Sequence, residues 1–276
     1  MQQVLKTMLE NVRAKTPLVH NITNYVTVND VANVLLAAGG SPIMSDDADD
    51  VEDITSICGG LNINIGTLNK NTIPSMFLAG KKANELGHIV LLDPVGAGAS
   101  RLRTDTANRL MREVRFDAVR GNISEIKTLC TGSGSTKGVD ADAVDAVTEA
   151  NLDDGVQLVK TFAQRAGCIV AVTGAIDLVS DGERCWCIRN GRAEMSRITG
   201  TGCQLSALIT AFLVANPDHK LAAAAAAVCM MGLAGEIGWA NMQPGDGNST
   251  YRNRIIDAIF NMTGDALEKG AKYELR

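Results

Sequence analysis

Residues 89–100 read IVLLDPVGAGAS. Four aliphatic residues in a row meet Asp93-Pro94, a turn-forming pair, and glycines at 96 and 98 follow in a loop. An unbroken apolar run, without polar/apolar alternation, describes a strand buried on both faces, as parallel sheets require. The pattern recurs: short β-branched runs at 61–65, 88–93, 116–119 and 168–173 are bounded by Gly, Asn or Asp, and each precedes a segment of helical period. This alternation predicts an α/β fold with a mostly parallel central sheet flanked by helices on both faces, a three-layer α/β/α arrangement. DLVSDG (177–182) and ERCWCIRNG (183–191) read as a hairpin turning at Asp181-Gly182, which gives the sheet an antiparallel edge. Beyond Gly202 the pattern is helical, over 203–215, 221–242 and about 251–269. Neither a repeat nor a linker interrupts the chain, so residues 1–276 read as a single domain.

Composition narrows the function. Hydrophobic residues are 46% and charged residues 21%, ordinary for a globular chain, while aromatics at 4% leave the core to aliphatic and small side chains. A net charge of −5 with no basic stripe argues against nucleic acid as a partner. The seven cysteines (58, 130, 168, 185, 187, 203 and 229) form no CxxC pair and no zinc spacing. Reduced thiols in a cytoplasmic protein account for them. Cys185 and Cys187 read as alternating residues of a strand. The N-terminal pattern is an amphipathic helix without a signal-peptide core. The most membrane-like run, 221–235, falls short of the roughly 20 residues needed to span, so no membrane is expected.

Ligands of open α/β sheets sit beyond the carboxyl ends of the strands. There the chain places Asp93 before its glycine loop, Arg120-Gly121-Asn122 before a helix carrying Glu125, Thr173-Gly174 before Asp177, and ITGTGCQLSALITAF at 198–212. In the last, Leu205, Leu208, Ile209, Phe212 and Leu213 mark an amphipathic helix opened by Gly200-Thr-Gly-Cys203. A helix N-terminus with glycines suits an anion, because its N–H groups are unpaired and backbone can approach closely. An ordinary glycine cap is the other reading. No GK[ST] follows, so this is no Walker loop; GSGSTKG at 132–138 is not one either, and VGAGAS does not match GxGxxG. Asp93 and Glu125 suit Mg²⁺, which takes one or two carboxylates with water and phosphate oxygens; singly, each also reads as a turn aspartate or a first-turn glutamate. Arg120 is either a surface charge or the cation that steadies a transferring phosphoryl group. The acidic run from Asp46 to Asp53 reads as a solvated helix start. The three histidines lie apart and support no catalytic triad.

These residues carry a resemblance. Asn122-Ile-Ser-Glu125 resembles the NxxE motif of ribokinase-like kinases, and Gly200–Cys203 sits where that superfamily has its GxGD anion hole. Together with VHNITNYVTVNDVANVLLAAGGSPIM (19–44), DPVGAGAS (93–100), RGNISEI (120–126) and TGTGCQLSA (199–207), the chain resembles the hydroxyethylthiazole kinases of thiamine salvage along nearly its whole length. The resemblance implies ATP- and Mg²⁺-dependent phosphorylation of 4-methyl-5-(2-hydroxyethyl)thiazole. It places Met44, Gly200 and Asn24 at the thiazole alcohol and Arg120 and Thr173 at ATP. Asp93 and Glu125 would organise Mg²⁺, and Gly200, Thr201, Gly202 and Cys203 would form the anion hole. It also implies a trimer with sites between subunits. Superfamily relatives have Asp where Cys203 stands, so the catalytic part of this thiol is that of a weak base at most. The rival readings are another ribokinase-like kinase, for example of hydroxymethylpyrimidine, and an ATP- or ADP-dependent NAD(P)H-hydrate dehydratase.

Overall fold

The computed structural model describes residues 3–131 and 146–276; GSGSTKG at 132–138 lies outside them. Among the described residues one sheet runs in the order β2-β1-β3-β4-β5-β6-β7-β8-β9. Its strands are β1 (Leu18–Ile22), β2 (Ser41–Met44), β3 (Gly60–Asn64), β4 (Ile89–Asp93), β5 (Ala118–Asn122), β6 (Ile169–Thr173), β7 (Asp177–Ser180), β8 (Cys185–Ile188) and β9 (Tyr273–Leu275). β1 to β6 pair in parallel, and β7, β8 and β9 add an antiparallel edge.

Each inner strand is apolar on both faces because helices cover both. In β4, Ile89 and Leu91 join one core while Val90 and Leu92 join the other. The first core is closed by α1 (Val4–Lys15), α2 (Val28–Ala38), α8 (Thr201–Ala215), α9 (Lys220–Ala240), α10 (Asn248–Asn261) and α11 (Gly264–Gly270). The second is closed by α3 (Val51–Ile57), α4 (Thr72–Leu86), α5 (Arg101–Glu113), α6 (Ile123–Thr131) and α7 (Leu152–Ala166). The three-layer α/β/α expectation is met. α8 lies across the middle of the sheet, against β1, β3, β4 and β5, and so carries its amino end to the strand tips.

Several boundaries differ from the sequence reading. β5 starts at Ala118, not 116, and runs to Asn122, because Arg120, Gly121 and Asn122 continue the ladder with Ala171, Val172 and Thr173. The helix expected over 251–269 is two helices: the Thr263 hydroxyl accepts from the Ala266 N–H at 3.1 Å and starts α11 afresh. The apolar run expected over 221–235 is longer. Pro217–Ala240 spans 24 residues and contains an 18-residue window of mean hydropathy 1.7, enough by length and composition to cross a membrane, yet 83% of that window is buried inside the molecule. It extends through Glu236 because that carboxylate is matched by Lys272 at 2.7 Å and by the Gly191 N–H at 2.9 Å. The hairpin turns where expected, with Gly182 at φ +98°. Trp186 is buried against Tyr273 of β9, the rings 4.3 Å apart, so this hairpin is sealed by the chain's own C-terminal strand. The acidic run opens α3, its carboxylates mostly exposed.

Candidate active site

Four expected residues stand on neighbouring strands near their carboxyl ends: Asp93 closes β4, Arg120 lies two residues before Asn122, which closes β5, and Thr173 closes β6. α8 meets them with its first turn. Gly200 is its N-cap at φ +83°, a left-handed conformation that favours glycine, and a Cβ there would collide with Thr27. Thr27 in turn donates from its N–H and Oγ1 to Asn24 Oδ1, at 3.2 and 3.0 Å. The Asn24 loop and the start of α8 are therefore one packed unit.

The Arg120 guanidinium lies on the backbone of Gly202, where any Cβ would strike it. Its Nη1 is 3.6 Å from Asp93 Oδ2, and its Nη2 donates to Thr173 Oγ1. Only 11% of the Arg120 side chain is exposed, so its charge is concentrated at the mouth of the helix. That position is where a phosphate chain would gain both the guanidinium and the α8 dipole. Asp93 is fully buried, and burial pushes its carboxyl above the ordinary range, with Arg120, Ser206 and Asn64 opposing. Glu125 is tied differently. Its Oε1 accepts from the Gly96 N–H at 2.7 Å and its Oε2 from the Asn122 N–H at 2.8 Å, while Asn122 Oδ1 accepts from the Glu125 N–H at 2.8 Å. This reciprocal cap makes the Asn-x-x-Glu spacing intelligible: it pins the glycine loop after β4 to the start of α6. Burial, then the Asp93 charge, raises the Glu125 carboxyl to about 7.

Cys203 is buried in the first turn of α8, its Sγ accepting from Asn24 Nδ2 at 3.3 Å. Burial, reinforced by the Asp93 charge, pushes the thiol up, with Arg120 and the Asn64 and Asn24 amides opposing. Burial at this position thus favours the thiol over the thiolate. Met44 packs against the same small cluster of Val31, Leu35, Cys203 and Ala207. Beside it, a cavity of about 140 Å³ is lined by Asn21, Thr23, Tyr25, Met44 and Asp46. A larger hollow of about 440 Å³, lined by Asn84, Arg112, Arg115 and Phe116, opens at the amino ends of the strands and contains none of these groups.

Among the described residues no set of three or more His, Cys, Asp or Glu side chains would hold a metal by itself. Asp93 and Glu125 nevertheless fit Mg²⁺, which keeps waters and phosphate oxygens in its shell. The deciding observation is that Asp93 Oδ1, though buried, has no hydrogen-bond partner. Two residues that sequence reasoning missed complete the site: Asn64 and Ser206, both bonded to the other Asp93 oxygen. The available signal was Asn62 and Asn64 alternating within an otherwise apolar strand, since asparagines inside a buried strand need partners.

His20 holds the wall of the smaller cavity. Its ring nitrogens pair with Thr55 Oγ1 and with the Ser45 carbonyl, both at 2.9 Å, and the ring is fully buried. Burial holds its pKa below the ordinary 6.5, with Ser45 and Asp50 opposing. A depressed value means stability that is present above 6.5 and lost as pH falls, because the unfolded ring takes up the proton first. His20→Gln is expected to flatten the fall in Tm between pH 7 and pH 5. A slope equal to wild type would show that the ring is not buried neutral.

A mostly parallel sheet between two helical layers, met at its strand ends by a glycine-opened helix, has the fold of the ribokinase-like kinases. The fold is shared at a distance: the Staphylococcus aureus pyridoxal kinase in complex with ADP matches with a TM-score of 0.58 at 13% identity, covering 77% of this chain and 85% of that one. Nearer relatives give the family. Hydroxyethylthiazole kinase from Pyrococcus horikoshii OT3 superposes with a TM-score of 0.88 at 32% identity over the full length of both chains. Hydroxyethylthiazole kinase of Clostridium acetobutylicum is 57% identical over 98% of this chain and 99% of its own. The family model described as "Hydroxyethylthiazole kinase family" matches residues 9–265. The chain belongs to the hydroxyethylthiazole kinase family.

Proposed function

We propose that this chain transfers the γ-phosphoryl group of ATP to the hydroxyl of 4-methyl-5-(2-hydroxyethyl)thiazole, in thiamine salvage, as one domain spanning 1–276. The observation that carries the reading is the Arg120 guanidinium seated on Gly202, one residue from Cys203 and paired with Asp93 and Thr173. Phosphoryl transfer runs through a loose transition state, so positioning and charge stabilisation outweigh base strength. Arg120 and the α8 N–H groups of the Gly200–Cys203 turn would hold the phosphate chain, with Thr173 fixing the guanidinium. Met44, Gly200 and Asn24 would orient the alcohol beside Cys203. Asp93 and Glu125 would hold Mg²⁺, which when bound neutralises charge on the phosphate oxygens.

A trimer with sites between subunits accords with Tyr25 and Val26, 77% and 55% exposed immediately after Asn24. The seven cysteines are unpaired thiols, in keeping with a cytoplasmic setting.

The test is Mg-ATP-dependent phosphorylation by the purified protein, offered the thiazole alcohol, hydroxymethylpyrimidine and ribose separately. Selective transfer to the thiazole alcohol is the expected result. ADP release only with hydrated NADH would overturn it. Because the loose transition state asks little of a base and burial favours the neutral thiol, Cys203→Asp is expected to keep or raise kcat, and Cys203→Ser to lower it modestly. Complete loss in both variants, by the same assay, would point instead to an obligatory thiolate.

A further inference from the structure

Asp93 Oδ2 is crowded and Oδ1 is bare. Oδ2 accepts from Asn64 Nδ2 at 2.8 Å and from Ser206 Oγ at 2.7 Å, and it faces Arg120 Nη1 at 3.6 Å. Oδ1 is buried with no partner. Nothing about a carboxylate makes its two oxygens different, so the asymmetry comes from the donors around it. The orientation of the Asn64 amide is itself fixed. Its Oδ1 accepts from the Gly66 N–H at 2.8 Å, and a backbone donor must meet the oxygen, so the amide nitrogen is left to face Asp93. Ser206 has one proton to give, and the anionic oxygen at 2.7 Å outcompetes the Gly202 carbonyl at 3.2 Å.

We infer that Asn64 and Ser206 are positioning residues that commit Asp93 Oδ2 to the protein and reserve Oδ1 for a divalent cation or its water. The inference rests on the kinase reading above and extends it to two residues that touch no reactant. Asn64 has a further reach, because its Oδ1 also accepts from Asn24 Nδ2 at 3.2 Å, and that same nitrogen is 3.3 Å from Cys203 Sγ. One side chain thus joins the cation side of the site to the alcohol side, whereas Ser206 serves the cation side alone. The two residues therefore have separable signatures.

The experiment uses the full chain and two readouts. Mn²⁺ binding is followed by the electron paramagnetic resonance of the unbound ion, with MnCl₂ alone and with ADP present, and Mg²⁺ is titrated in the phosphorylation assay. Removing a partner that orients a metal ligand costs about 10- to 100-fold in metal affinity. Ser206→Ala is expected to weaken Mn²⁺ binding and raise the half-maximal Mg²⁺ concentration about 10-fold, with KM for the thiazole alcohol unchanged. Ser206→Thr, which restores the hydroxyl, is expected to recover Mn²⁺ affinity. Asn64→Ala is expected to shift both the metal dependence and the alcohol KM. Wild-type Mn²⁺ affinity in folded Ser206→Ala would overturn the inference, as would a lowered Tm unaccompanied by any change in Mn²⁺ binding. Should Asn64→Ala fail to fold, the Ser206→Ala and Ser206→Thr pair still decides. If wild type phosphorylates no alcohol while Ser206→Ala still loses Mn²⁺, the assigned reaction falls and the positioning role stands.

Discussion

Asp93→Asn is expected to lower kcat by about 10³-fold while KM for the alcohol changes little. One preorganised charge at a site of developing charge is worth roughly 10²–10³ in rate, and on the proposed mechanism Asp93 would serve the reaction twice. It pairs with Arg120, and it offers a buried carboxylate oxygen, Oδ1, that no donor among the described residues occupies. Asparagine keeps the shape and an acceptor for Asn64 and Ser206, but it loses the charge. The folded state survives because two effects oppose. Burial raises the Asp93 carboxyl, so its ionised form weighs against folding as pH rises above the ordinary carboxylate range, and Asn relieves this at neutral pH. Against that, Arg120 is left as a largely buried charge without its anion. Steady-state kinetics beside thermal unfolding separate the effects: a fall in kcat of less than about 10-fold would remove Asp93 from the metal and phosphate side of the mechanism.

The parts of this molecule that were legible in its sequence share a physical reason. IVLLD is buried on both faces and carries nothing polar until its last residue, so the strand and its functional tip announce themselves together. The Asn122–Glu125 spacing and the glycines of 200 and 202 were legible for the same kind of reason, since caps and close approaches restrict residue type locally. Where polar residues sit inside strands, the signal fails. β1, LVHNI, holds His20 and Asn21 with side chains bonded to Thr55, Ser45 and Val19, and β2, SPIM, holds a proline, so neither reads as an apolar run. β9 is three residues at an edge, specified by pairing with β8 and by Tyr273 against Trp186. Asn64 and Ser206 were hidden for a further reason. Asn64 inside a buried strand signals that it needs a partner and Ser206 in a helix signals nothing, but neither names that partner, Asp93, which lies 29 and 113 residues away along the chain.

Gly202→Ala sets local propensity against the site, and the two are expected to separate cleanly. Gly202 lies in the first turn of α8 with an ordinary helical backbone, where alanine is favoured over glycine by up to about 1 kcal/mol. The new Cβ would land on the Arg120 guanidinium, the far end of a flexible side chain, and moving it breaks the pairing with buried Asp93, which offsets the propensity gain. Tm is therefore expected close to the wild-type value. Catalysis has no such freedom. The displaced guanidinium gives up its place between Asp93 and Thr173, and the methyl group stands where, on the proposed mechanism, backbone would approach a phosphate. A misplacement of about 1 Å costs on the order of 10² in rate, so kcat is expected to fall about 100-fold, with the loss in kcat/KM for ATP at least as large. Ala at 202 with full activity would mean that Arg120 works from another position than the one seen on the helix. A fall in Tm matching the loss of activity would mean that Gly202 is needed for folding instead. Turnover lost while stability is kept is the outcome that a functional close approach produces.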